Sequence, residues 1–349
     1  MAKSFRDKID DYKDTVFAII GFGNLFRFNS NTKAMDAGVK LAQGRKFKTT
    51  TSNRNSPNNT VTPDLCIQLS ETAAIVAEVK ISFPKKQEHW IDDLNQLVSY
   101  DDKLANWWTS DLTIQNLCIV LLPHQTRSVM VNEFFTQKIA EGQIKFDRPF
   151  SIVEFNRSDQ NNEHYFFRKV SGDIPVSEEK DTALKYGISV PTEKLMLHYE
   201  KHKLYDSKPP MPYLLHIIWE NVILRSVSDS HNLAEVRKNS KIEVLTSVDN
   251  ITKELYENCS FKGFNFDESE HQPRMPLTAW VRNSIASLVA FKYAEWINKD
   301  DGTCKIFFKR LDDVFESFIQ LCSKHGIDIE DIEGSEVQIE LFKDKESPT

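Results

Sequence analysis

The sequence predicts an α/β protein: a mixed sheet flanked by helices, followed by a smaller and mainly helical second domain. Three observations carry that expectation. Apolar runs of strand length recur at Leu65–Leu69, Ala73–Ile81, Leu117–Leu122, Phe150–Phe155 and His164–Lys169. Stretches with apolar residues at helical spacing lie between them, the pattern of a sheet with helices packed on it. A passage rich in proline and acid, 171–212, then separates this part from a region of three helical patterns.

Residues 3–20 read as the first helix, with Phe5, Ile9, Tyr12, Val16 and Ile20 along one face. Gly21-Phe22-Gly23 reads as its end, because no strand precedes these glycines and no third follows, as a dinucleotide-binding loop requires. Thr32–Gln43 is expected as a second short helix, and the Ser/Thr/Asn tract Thr49–Thr62 as a loop. Ser70-Glu71-Thr72 joins the first two apolar runs into a hairpin of buried strands. His89–Trp108 is expected as a helix, its broad apolar face built from Trp90, Leu94, Leu97, Val98, Leu104, Ala105 and Trp108. A strand ended by Pro123, a helix over Val129–Ala140 and two further strands complete the first domain, 1–170. Residues 171–212 form a linker with a polar helix around Lys194–Tyr205, 213–325 a second domain and 326–349 an acidic tail. Within the second domain, helices are expected at Tyr213–Val227, Ser247–Asn258 and Thr278–Trp296. A strand, an Asp301-Gly302 turn, a second strand and a closing helix Leu311–Cys322 follow. Three helices and a hairpin in that order resemble a winged helix-turn-helix.

Composition narrows the function. Over 349 residues, 40% hydrophobic and 27% charged content excludes wholesale disorder and a fibrous chain. Cys66, Cys118, Cys259, Cys304 and Cys322 are widely spaced with no CxxC pair, which excludes a disulfide frame and a zinc knuckle. Cys66 and Cys118 fall in apolar strands and read as core residues. Apolar runs such as Leu117–Leu122 and Ile285–Phe291 are far shorter than a membrane span of roughly 20 residues. Residues 1–7 lack a secretory pattern, so the expected setting is cytoplasmic, with no membrane partner. His198 and His202 have the spacing of zinc ligands but no third ligand, and read as a solvated helix face. The net charge of −7 would argue against a polyanion partner, yet it is unevenly spread. Residues 1–63 carry +6, residues 326–349 carry −6 and residues 211–325 carry −2. A polyanion can therefore dock on the first domain. The second is a poor footprint for a DNA reader, although Arg282, Asn283 and Lys292 on its third helix and Lys305, Lys309 and Arg310 on its hairpin are candidate contacts.

The chemistry lies in Pro63-Asp64, thirteen residues, then Glu78-Val79-Lys80. Alternation along the strand puts Glu78 and Lys80 on one face while Val79 and Ile81 point to the other. Charges on a strand this apolar are costly unless paired or bound to something. The hairpin brings Asp64 beside Glu78, two close carboxylates repel, and a divalent cation is the natural remedy. Ligation by oxygen alone favours Mg2+, with Mn2+ as the other candidate. Lys80, one pleat along, is placed to orient or deprotonate an attacking water and to offset charge at phosphorus. A surface Glu–Lys strand pair is the alternative reading of the same residues.

This arrangement resembles the PD-(D/E)XK nuclease superfamily, whose carboxylates lie on a hairpin inside an αβββαβ core. The order of elements over residues 1–125 is close to that core, and the RecB-like branch adds Gln-x-x-x-Tyr on the following helix, here Gln96-Leu97-Val98-Ser99-Tyr100. The resemblance implies a restriction-endonuclease-like mixed sheet. It assigns Asp64 and Glu78, with the Val79 carbonyl, to metal binding and Asp64, Glu78 and Lys80 to catalysis. Gln96 and Tyr100 become residues that line the site and bind substrate. The implied activity is metal-dependent hydrolysis of DNA phosphodiesters in restriction, anti-phage defence or DNA processing, with RNA open as a substrate. A homodimer, or a separate partner subunit supplying ATP dependence, fits such an enzyme. The alternative is a catalytically inactive nuclease fold that serves as a DNA- or protein-binding scaffold. The chain departs from the family in one respect. Many members carry a further acid, usually Glu, on the helix before the sheet, and residues 1–63 contain no Glu. Asp36 is the first substitute, then Asp10, Asp11 or Asp14, and one- and two-metal sites stay open.

Overall fold

A computed structural model of the chain describes residues 5–29, 34–36, 38–49, 60–83, 87, 90–101, 104–105, 107–108, 114–157, 164–191, 209, 211–218, 242–259, 278–290 and 292–308. The linker helix with His198 and His202, the closing helix, the acidic tail, Lys309 and Arg310 lie outside the described residues. The chain divides into two compact units: Lys13–Glu200 with Phe261–Gln272, and Met1–Tyr12 with Lys201–Ser260 and Pro273–Thr349. Among the described residues no helix is long and apolar enough to cross a membrane.

The larger unit is a seven-stranded mixed sheet flanked by helices. Helix α1 (Phe5–Arg27) leads into two short paired strands, β1 (Phe28–Asn29) and β2 (Ala34–Met35). Next come β3 (Lys40–Gln43), β4 (Phe47–Thr49), β5 (Thr60–Val61) and the hairpin β6 (Leu65–Gln68) and β7 (Ala73–Lys80). Helix α2 (Trp90–Ser99), β8 (Leu104–Ala105), β9 (Asn116–Pro123) and α3 (Gln125–Ala140) follow. Strands β10 (Phe150–Arg157) and β11 (His164–Gly172), helix α4 (Glu178–Tyr186) and β12 (Ile188–Pro191) close the unit. The sheet order is β12-β11-β10-β9-β7-β6-β3, and β4 lies between β5 and β8 in a small separate sheet. Strands β7, β9 and β10 run parallel, and the remaining neighbours are antiparallel.

Both faces of the sheet are covered, which explains the near-continuous apolar runs of β7 and β9. One face meets α2 and α3: Ala42, Cys66, Ala74, Val76, Ile119 and Leu121 share a core with Leu94, Leu97 and Phe135. Helix α1 covers the other face, where Phe22 meets Phe167 and Phe17 meets Tyr165. Burial pushes the Cys66 and Cys118 thiols each up to about 12, as buried core thiols behave.

Four expectations change here. Gly21 and Gly23 do not end α1, which runs on to Arg27. A Cβ on Gly21 would stand 3.2 Å from the Phe167 ring and one on Gly23 3.3 Å from Leu41, so the glycines let the helix press onto the sheet. Close packing outweighs their poor helix propensity of about 1 kcal/mol each. The described part of Thr32–Gln43 holds strands and no helix, and Leu41 and Ala42 are buried in a strand paired with β6. The helix expected to reach Trp108 stops at Ser99. Leu104 and Trp107 are still buried, and Leu104 sits on a short strand where it pairs with Thr49. The passage read as a linker from 171 instead begins with α4 and β12, and Tyr165 pairs with Val190.

In the smaller unit, α5 (Met211–Ile218) precedes β13 (Ile242–Ser247), α6 (Val248–Cys259) and α7 (Thr278–Ala290). The hairpin β14 (Ala294–Asn298) and β15 (Thr303–Phe308) completes it, with β15 central between β13 and β14. Gly302 turns the hairpin at φ +74°, a conformation open to glycine at no steric cost. Strand β13 was not anticipated, and α7 ends at Ala290 instead of reaching Trp296, which pairs with Cys304.

Candidate active site

The hairpin register builds the site. Leu65 pairs with Ala77, which puts Asp64 level with Glu78 at the end of the sheet. The Val79 N–H donates to Asp64 Oδ2 at 2.8 Å, so the turn into β6 is held by the strand that carries the second acid. Glu78 lies on the face covered by α2 and is only 4% exposed. Lys80, two residues on, keeps 21% of its side chain exposed and places Nζ 3.3 Å from Glu78 Oε1.

Helix α2 supplies the other contacts. Gln96 Nε2 donates to Glu78 Oε1 at 2.8 Å and to the Tyr100 hydroxyl oxygen at 2.9 Å. The Tyr100 O–H donates to Glu78 Oε2 at 2.8 Å. Lys80 Nζ makes a long 3.5 Å contact with Gln96 Oε1. Tyr100 follows the last turn of α2 with its N–H on the Leu97 carbonyl and is 1% exposed, so its hydroxyl reaches Glu78 and not solvent. The four-residue spacing of Gln96 and Tyr100 puts both on one flank of the helix, as the sequence indicates.

Burial is the first cause that raises the Glu78 carboxyl, and the Asp64 carboxylate is the second. Lys80 and the Tyr100 hydroxyl pull the other way without overcoming them. Burial and the same two carboxylates also push the Tyr100 phenol well above its ordinary value. Glu78 is thus a buried acid with a second carboxylate close enough to raise it further. That donor set fits a hard divalent cation, with Asp64 and Glu78 as its carboxylates. Among the described residues no group of three or more His, Cys, Asp and Glu side chains gathers.

Two of the substitutes for a further acid, Asp36 and Asp14, make side-chain bonds elsewhere in the larger unit. Asp36 is exposed and not helical, and its Oδ1 accepts the Gly38 N–H. Asp14 accepts the Tyr165 hydroxyl, and Asp10 is exposed. The contribution that sequence reading missed is the Val79 N–H, since only the carbonyl of that residue was assigned a role. The antiparallel register would have revealed it.

Two of the candidate nucleic-acid contacts of the smaller unit, Arg282 and Lys305, are engaged within it. Arg282 donates to the Lys299 carbonyl at 2.7 Å and the Asp300 carbonyl at 3.4 Å, fastening the hairpin turn. Lys305 lies 3.4 Å from Glu243 and 3.5 Å from Glu295. No family model matches the chain, and neither a curated protein nor a solved structure matches it.

Proposed function

We propose that the protein is a metal-dependent nuclease of the PD-(D/E)XK type that hydrolyses DNA phosphodiester bonds. The observation that carries the reading is the meeting of Asp64, Glu78 and Lys80 at one end of a buried hairpin, where the Asp64 charge acts on Glu78 more strongly than the Lys80 charge does. The restriction-endonuclease-like comparison is supported by the antiparallel β6–β7 hairpin and by β9, parallel to β7 after the intervening α2. Asp64 and Glu78 hold Mg2+ or Mn2+, which supplies Lewis-acid stabilisation of the phosphoryl oxygens and an acidified water. Lys80 offsets charge at the phosphorus and orients or takes a proton from the water. The winged-helix comparison is supported by the order α5-β13-α6-α7-β14-β15, with a three-stranded antiparallel sheet around β15.

Cleavage of duplex DNA, single-stranded DNA and RNA, each with Mg2+ and with chelator, tests the reading. Asp64→Ala, Glu78→Ala and Lys80→Ala, verified as folded by circular dichroism, are expected to slow cutting by about 10²–10⁴-fold. Wild-type rates in all three variants would overturn it. One observation favours the inactive-scaffold reading: both oxygens of Glu78 already have protein partners. That reading requires a duplex mobility shift that survives Lys80→Ala, with no cutting under either metal.

A further inference from the structure

We infer that Tyr100 and Gln96 act on Glu78 in opposite senses: Tyr100 is a positioning residue that orients the carboxylate toward a divalent cation, and Gln96 obstructs the oxygen that the cation takes. The inference rests on the assignment of Asp64 and Glu78 as the metal-binding acids.

The two oxygens of Glu78 are held differently. Oε2 receives the Tyr100 hydroxyl. Tyr100 belongs to the same core cluster as Leu94, Leu97 and Trp107, so withdrawing the hydroxyl means opening packed interior. Oε1 receives the Gln96 amide and lies near the Lys80 amine. Gln96 is only part-buried and reaches the carboxylate through a rotatable chain. A cation approaching Oε1 meets the positive end of an N–H dipole, and Gln96 can turn away where Tyr100 cannot. The amide orientation is settled by its neighbours. Reversed, it would set a carbonyl oxygen against the Glu78 carboxylate and an NH2 against the Lys80 ammonium.

Tyr100 and Gln96 are then distinct in function although they share a motif and a hydrogen bond. Removing the phenolic hydroxyl takes away the bond that fixes Oε2, and such orienting contacts are worth about 10–100-fold in metal affinity. Removing the Gln96 amide deletes the competitor for Oε1, which is expected to tighten cation binding by about tenfold.

The test is Mn2+ titration of the full-length, chelator-stripped protein, with the electron paramagnetic resonance signal of free Mn2+ reporting binding. Wild type, Asp64→Ala, Tyr100→Phe and Gln96→Leu are compared, and the melting temperature of each metal-free sample is recorded alongside. Weaker binding in Tyr100→Phe and tighter binding in Gln96→Leu support the inference. Unchanged affinities, or shifts of the same sign, overturn it, while loss of binding in Asp64→Ala leaves the nuclease assignment standing. A wild type that takes up no Mn2+ overturns both. If Tyr100→Phe fails to fold, Gln96→Leu still decides, because a merely structural glutamine gives weaker or unchanged binding on substitution.

Discussion

Glu78 and Glu154 are both buried glutamates of the same sheet, and they are neutralised in different ways. By register Glu154 falls beside Pro123, and Pro123 beside Lys80, so both acids point to the face covered by α2 and α3. Glu154 Oε1 accepts two N–H groups of one guanidinium, Arg168 Nε at 2.8 Å and Nη2 at 2.6 Å. Its Oε2 accepts the Ser128 hydroxyl, which ties α3 to the sheet. One acid meets one base through two charge-assisted hydrogen bonds to the same oxygen. Glu78 meets an amine at 3.3 Å, a neutral amide and a phenol, and a second acid stands beside it. Buried charge alone therefore does not mark a site. The distinguishing feature is a second carboxylate close enough to raise the first.

The largest test of this contrast is Arg168→Ala. It strands a buried carboxylate, and although Arg168 itself is half-exposed, the expected loss is about 3 kcal/mol in urea unfolding. Mn2+ affinity should not change. If stability hardly moves, Glu154 is not a structural charge pair and the comparison fails.

A pH series comes next. Glu78 is raised from its ordinary 4.5 to about 7 in the folded protein. Between those values the native chain keeps a proton that the unfolded chain has released, so the metal-free protein loses stability as pH rises from about 5 to 7. The loss is on the order of 2 kcal/mol, and it is complete above about pH 7. Denaturant midpoints at pH 5, 6, 7 and 8 should show this fall in wild type and a flatter profile in Glu78→Gln. Equal slopes would mean that Glu78 is not the strained acid. Saturating Mg2+ at pH 8 should restore part of the lost stability, since the cation binds only the native chain, and it should do nothing for Asp64→Ala.

The smallest effect belongs to Ser128→Ala. It removes one hydroxyl from Glu154 while Arg168 stays, at an expected cost of about 1 kcal/mol. A loss as large as that of Arg168→Ala would mean that the serine, not the ion pair, holds α3 to the sheet.

Much of the sheet was legible from apolar runs, because strands buried on both faces have little polar alternation to obscure them. The hairpin of Asp64 and Glu78, the α2 face and the Gln96–Tyr100 spacing all follow from local periodicity. What failed was conformation where long-range pairing decides it. Lys40–Gln43 has helix-forming residues yet is a strand, since β6 offers it hydrogen bonds and α1 covers Leu41. Leu104 has the helical spacing and is buried, but from a strand. The glycines of α1 read as a terminus because sequence carries no sign of the Phe167 ring that needs their missing Cβ.

By itself the sequence determined which residues bear charge on an apolar strand, and from that the pairing of Asp64 with Glu78 and the placement of Lys80. Alternation with a period of two is a local property of any strand. Only the tertiary structure decided how that charge is held. Whether Glu78 is matched, as Glu154 is by Arg168, or left beside another acid depends on which helix covers the face and how far each side chain can withdraw. Those distances are set by packing between segments far apart in the chain, and local pattern does not encode them.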